Sequence, residues 1–126
     1  NHGGRQLDHG IGTMDMLSEI TAVVGDKADI VLDGGILRGS DVLKALAMGA
    51  KAVAIGKLQG WGLAAAGKDG VVRVLEILEE EIRIGMGLMG VTSIDQLTPS
   101  HICPAEATTI PHEMSTWVNM PQDRLT

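Results

Sequence analysis

Apolar positions along this chain change their spacing several times, and each change marks an element. Met14, Leu17, Ile20 and Val24 recur at helical intervals, which predicts a helix with Thr13 as its N-cap and Gly25 as its stop. Asp15 in its first turn suits the positive end of the helix dipole. A strand is predicted over 28–32. Its run Ile30-Val31-Leu32 has no polar alternation, the pattern of a strand buried on both faces, and it stops at Asp33-Gly34-Gly35. Helical spacing returns after Ser40, the expected cap, with Val42, Leu43, Leu46 and Ala47 facing inward until Gly49. A second apolar strand is predicted over 51–56 and ends at Gly56-Lys57. Ile30 and Val53 lie 23 residues apart with a helix between them, the spacing of a βαβ crossover.

Beyond Lys57 the chain is helical in two pieces. A short helix is predicted around residues 61–66. A longer one follows over 71–89, with Val71, Val74, Leu75, Leu78, Ile82 and Met89 as its apolar stripe and the Glu79-Glu80-Glu81 run as a solvated face. Gly85 and Gly87 weaken its last turns by about 1 kcal/mol each relative to alanine. Another helical turn is expected within 95–102. Residues 104–126 hold three prolines and no periodicity, and are expected to form an arm anchored only by Trp117, Val118 and Met120.

This alternation indicates an α/β fold with a parallel sheet. Two strands do not make an independently stable sheet, and a (β/α)₈ barrel takes about 250 residues against the 126 present. The chain also opens on Asn1, inside a loop-like stretch with no strand before it. The expectation is therefore the C-terminal part of a (β/α)₈ barrel over residues 1–103, the last strand–loop–helix units, followed by the arm. A partner chain or a missing N-terminal segment would complete it.

Composition narrows the function. A net charge of −6 with no basic face argues against nucleic acid as a partner. One cysteine, Cys103, excludes an internal disulfide and a cysteine-based zinc site, and a cytoplasmic setting follows as the expectation. No metal site is expected. The seven methionines fall mostly on helix faces, where they fill core.

Candidate chemistry gathers at the predicted strand ends. Glycines there let the backbone turn sharply and approach a ligand, and the amides opening the following helix offer an anion site. Asp33, Gly34 and Gly35 on one strand, with Gly56 and Lys57 on the next, form a candidate phosphate clamp; the plainer reading is a pair of tight turns without ligand. Upstream, His2 and Arg5 stand three residues apart in a glycine-rich loop. An imidazole takes a proton near neutral pH, and a guanidinium grips a carboxylate through two hydrogen bonds. A 2-hydroxy acid undergoing oxidation needs both. The plainer reading is a solvated loop in which they bond only backbone. His9, His101 and His112 are expected to carry no chemistry.

Together these residues match a family. Asn1-His2-Gly3-Gly4-Arg5-Gln6-Leu7-Asp8, Leu32-Asp33-Gly34-Gly35, the run from Arg38 through Gly39-Ser40-Asp41 to Leu46, and Ile55-Gly56-Lys57 resemble the FMN-dependent 2-hydroxy-acid oxidases and dehydrogenases over about residues 1–97. The opening octapeptide is specific; the double-glycine loop alone also occurs in phosphate-binding isomerases and IMP dehydrogenase. The resemblance implies His2 as the active-site base, Arg5 as the substrate-carboxylate ligand, and Asp33, Gly34, Gly35, Arg38, Gly56 and Lys57 as the FMN ribityl-phosphate site. It implies FMN as cofactor, a small 2-hydroxy acid as substrate and a homo-oligomeric assembled enzyme. Two positions depart from the family pattern: Leu37 and Lys57 each stand where it usually has arginine. The competing readings are another FMN- or phosphate-binding barrel of isomerase type, which leaves the His2–Arg5 pair unexplained, and a half-barrel that has lost its flavin and serves only to bind a partner.

Overall fold

A computed structural model describes residues 10–105. Its elements run α1 (Thr13–Val24), β1 (Val31–Asp33), α2 (Gly39–Ala47), β2 (Ala52–Ala54) and α3 (Lys57–Met89), followed by two single 3₁₀ turns at Ile94–Gln96 and Pro99–His101. The opening loop with His2, Arg5 and His9, and the arm from residue 106 with His112 and Trp117, lie outside the described residues.

β1 and β2 pair in parallel, with Val31 opposite Ala52, Leu32 opposite Val53 and Asp33 opposite Ala54. This is the expected βαβ unit, although each strand is shorter than the apolar run that predicts it. The core lies on one side of this sheet, where Leu17 of α1, Leu32 and Ile36, and Val42 and Ala45 of α2 are buried together with Ala50. Ile30, Leu46, Val53, Ile55 and Ile82 pack around them.

The opposite face differs from expectation. Val31, predicted to be buried, is 59% exposed, and Ala52 is exposed beside it. A strand alternates its side chains between two faces, and among the described residues helices cover only the face that carries Leu32 and Val53. Ile20 of α1 and Leu75 of α3, both assigned inward, are likewise 45% and 53% exposed.

The helix starts are also set differently from the sequence expectation. Gly12, not Thr13, occupies the cap position of α1. The Thr13 hydroxyl instead donates a long hydrogen bond of 3.5 Å to the Gly34 carbonyl. Arg38, not Ser40, precedes the first residue of α2. The cap is supplied by Asp41 from inside the first turn: its Oδ2 accepts the backbone N–H of Arg38 at 3.0 Å and of Leu37 at 3.2 Å. A hydroxyl would bond the third amide of the helix, whereas a carboxylate at that position reaches back to the amides before it.

α3 contains the two predicted helical pieces joined at a sharp break. Ala66 and Gly67 leave helical geometry, and Gly67 takes φ +58, which a residue with a side chain adopts only under strain. Across the break Gly62 and Gly70 are buried and touch backbone to backbone; a Cβ on Gly62 would lie 2.7 Å from the Gly70 carbonyl oxygen. The longer piece then packs along α2. Gly39 makes that approach possible, since a Cβ there would fall 2.5 Å from the Cβ of Glu81 and 2.7 Å from the backbone nitrogen of Ile82.

Candidate anion site at the strand ends

Parallel strands end on the same side of a sheet, so the segments after Asp33 and Ala54 emerge together. Gly34 and Gly35 follow Asp33 with φ of +114 and +76, a left-handed pair that turns the chain sharply out of β1. Gly56 follows β2 and leads directly into α3. At both Gly35 and Gly56 an added Cβ would meet nothing within 4 Å among the described residues. These two backbone stretches therefore border open space on one rim of the sheet. The hydrogen bond from Thr13 to Gly34 brings the start of α1, and the chain leading into it, to the same rim.

The two helix starts at this rim are not equivalent. At α2, Asp41 holds the N–H groups of Leu37 and Arg38, and Glu81 from α3 holds the N–H of Gly39 at 2.7 Å. The same Glu81 carboxylate accepts Arg38 Nε at 2.7 Å and pairs with Arg38 Nη2 at 2.7 Å. Two negative groups thus already occupy the amides and the cation that were expected to receive an anion. At α3 no described side chain caps the helix, and Lys57 stands exposed as its first residue. Among the described residues, then, this rim combines open backbone at Gly35 and Gly56, a helix start with no side-chain cap and one lysine, features that suit an anion.

Of the residues singled out from sequence, Asp33, Gly34, Gly35, Gly56 and Lys57 share this rim, and Arg38 is adjacent but engaged by Glu81. His2 and Arg5 lie outside the described residues. Leu37 is half-buried, its side chain offering no charge. Sequence reasoning missed Asp41 and Glu81. Asp41 carries a local signal, an acid three residues after the cap position. Glu81 carries none, being 42 residues from the amide it holds and part of an acidic run typical of a solvated helix.

Known proteins resemble this chain in sequence and in fold. The family model for FMN-dependent dehydrogenases matches residues 1–104. An L-lactate oxidase from Nostoc sp. is 48% identical over 102 residues, which are 81% of this chain and 28% of the relative. The 2-hydroxyacid oxidase 1 of Homo sapiens is 53% identical over 94 residues, 75% of this chain and 25% of the relative. Among solved structures, a mutant (S)-mandelate dehydrogenase superposes with a TM-score of 0.74 at 42% identity, covering 80% of this chain and 28% of that one. A mandelate oxidase variant holding a monooxide FMN adduct gives 0.71 at 53% identity, covering 75% and 30%. The chain thus spans between a quarter and a third of the length of these relatives. A match over 104 of 126 residues, with the glycine turns and Lys57 inside it, places the chain in the FMN-dependent dehydrogenase family of oxidoreductases.

Proposed function

We propose that this chain forms part of an enzyme that oxidises a small 2-hydroxy acid to the corresponding 2-oxo acid with FMN as cofactor. The observation that carries the reading is the pair of adjacent strand ends, open at Gly35 and Gly56 and flanked by the uncapped start of α3, in a chain of this family. Asp33, Gly34, Gly35, Gly56 and Lys57 would hold the ribityl phosphate, with Arg38 anchoring the first loop through Glu81. Held there, FMN would supply the acceptor for the two electrons and one of the two hydrogens that the alcohol carbon and its hydroxyl lose. His2 accepts the other hydrogen as a proton, and Arg5 holds the substrate carboxylate in a two-pronged grip that fixes the reacting carbon.

The uncovered sheet face at Val31 and Ala52, together with a sheet of only two strands among the described residues, supports placing this unit in a larger (β/α)₈ barrel, because further strands would pair the edges and their side chains would cover the face. In the same proposal a partner chain or additional N-terminal sequence supplies those strands, and the assembled enzyme is a homo-oligomer. No helix among the described residues is long and apolar enough to cross a membrane. The lone Cys103 is the feature behind a proposed cytoplasmic setting.

Purification with bound yellow flavin, and trapping of a 2-oxo acid product when 2-hydroxy acids are supplied, test the reading. Protein that takes up no flavin would instead favour the half-barrel binding module. Flavin binding without oxidation of any 2-hydroxy acid would favour the isomerase-type barrel.

A further inference from the structure

Glu81 is the one residue of the acidic run on α3 that turns away from solvent among the described contacts. Its side chain is 24% exposed, and both oxygens are used: Oε2 by the Gly39 amide, Oε1 by the Arg38 guanidinium. These partners sit at the end of the loop that begins with Gly34 and Gly35. Between them, Ile36 is buried in the core and the Leu37 amide is held by Asp41. The far end of the loop is therefore pinned twice, by Asp41 from the first turn of α2 at the Leu37 and Arg38 amides and by Glu81 from a different helix at the Gly39 amide and the Arg38 side chain.

We infer that Glu81 is a positioning residue for the phosphate site. By closing the start of α2 and fixing Arg38, it holds the turn so that Gly35 stays open toward the rim, and it directs an anion to the start of α3. Both acceptors are oxygens of the one carboxylate, and hydrogen bonds to a carboxylate are short and directional, which suits fixing a backbone rather than merely adding stability. The exposed Arg38–Glu81 ion pair alone would contribute little. The amide of Gly39 is the partner that ties Glu81 to the loop. This inference rests on the FMN-phosphate reading of the site.

The test uses the full flavin-loaded protein, stripped of flavin and titrated by fluorescence with FMN and with riboflavin, which lacks the phosphate. Glu81→Gln removes the charge while keeping the size. It is expected to weaken FMN by about tenfold or more, the size seen when residues supporting metal ligands are lost, while riboflavin affinity stays at the wild-type value. Leu78→Ala, one turn earlier and buried, is the control for simple destabilisation and is expected to lower unfolding resistance with FMN affinity retained. Should Glu81→Gln not fold, Glu81→Asp, too short to reach both partners, is expected to show the same selective loss in smaller degree. Wild-type FMN affinity in the Glu81 variants, or equal losses for FMN and riboflavin, would overturn the positioning role. An equal FMN loss in Leu78→Ala would do the same. Failure of the wild-type protein to bind FMN would remove the site reading itself.

Discussion

Lys57 is the first residue of α3, and it sits at the opening of a helix whose dipole also favours an anion. Replacing it with alanine is expected to weaken FMN retention by roughly 1.5–3 kcal/mol, one charge-assisted contact. Lys68→Ala, beyond the break in α3, leaves retention unchanged; equal flavin content in both variants would place the site elsewhere. Leu37, half-buried and uncharged, adds no second cation, and Arg38 is engaged by Glu81, so the loss falls on Lys57. Further out, His2→Gln is expected to lower turnover of a 2-hydroxy acid by about 10²–10⁴-fold with FMN still bound, the range for one positioned acid–base group. Arg5→Lys keeps the charge, loses the fork, and is expected chiefly to raise KM. Steady-state kinetics with flavin content measured in parallel separates the two. Residues of this kind can be found from sequence because their signals are local: glycines where an apolar run stops, a histidine and an arginine three apart. Glu81 could not be found that way, since only the packing of α3 on α2 reveals what it touches.

Among the elements, α2 follows its apolar spacing and α3 does so apart from Leu75, with its break at Ala66–Gly67 where the first predicted piece ends, because helix periodicity and glycine breaks act over a few residues. The strand faces did not. Whether Val31 is buried depends on what lies across the sheet, and an unbroken apolar run announces a need for cover without supplying it. The cap of α2 differs from the expected Ser40 for a related reason: hydroxyl and carboxylate both cap, and the Asp41 carboxylate takes the amides from inside the turn. Two substitutions probe these junctions. Gly39→Ala puts a methyl group against Glu81 and the backbone of Ile82, and should force α2 and α3 apart at a cost of about 1–3 kcal/mol in urea unfolding. Asp41→Ala removes the cap and should cost about 0.5–2 kcal/mol. If Gly39→Ala unfolds at the wild-type denaturant concentration, the two helices do not approach as closely as described.

For the molecule as a whole, the uncovered face is the governing feature. A polypeptide of this sequence made alone is expected to self-associate or precipitate, as exposed strands seek pairing. Sedimentation that shows a monomer with a cooperative unfolding transition would contradict this. The reversal at Ala66–Gly67 carries one more consequence. An unbroken helix rising about 1.5 Å per residue would carry Glu81 some 36 Å beyond Lys57. The fold-back shortens that reach until residue 81 stands level with the first residue of α2. The stretch from Gly67 to Glu81 therefore works as a measured strut, and its length in residues matters more than its composition. One inserted residue there would swing the carboxylate about 100° around the helix, off both of its partners. Changes of side chain along the strut's outer face should pass unnoticed, while a single insertion or deletion should unfasten a loop that lies more than 40 residues earlier in the chain.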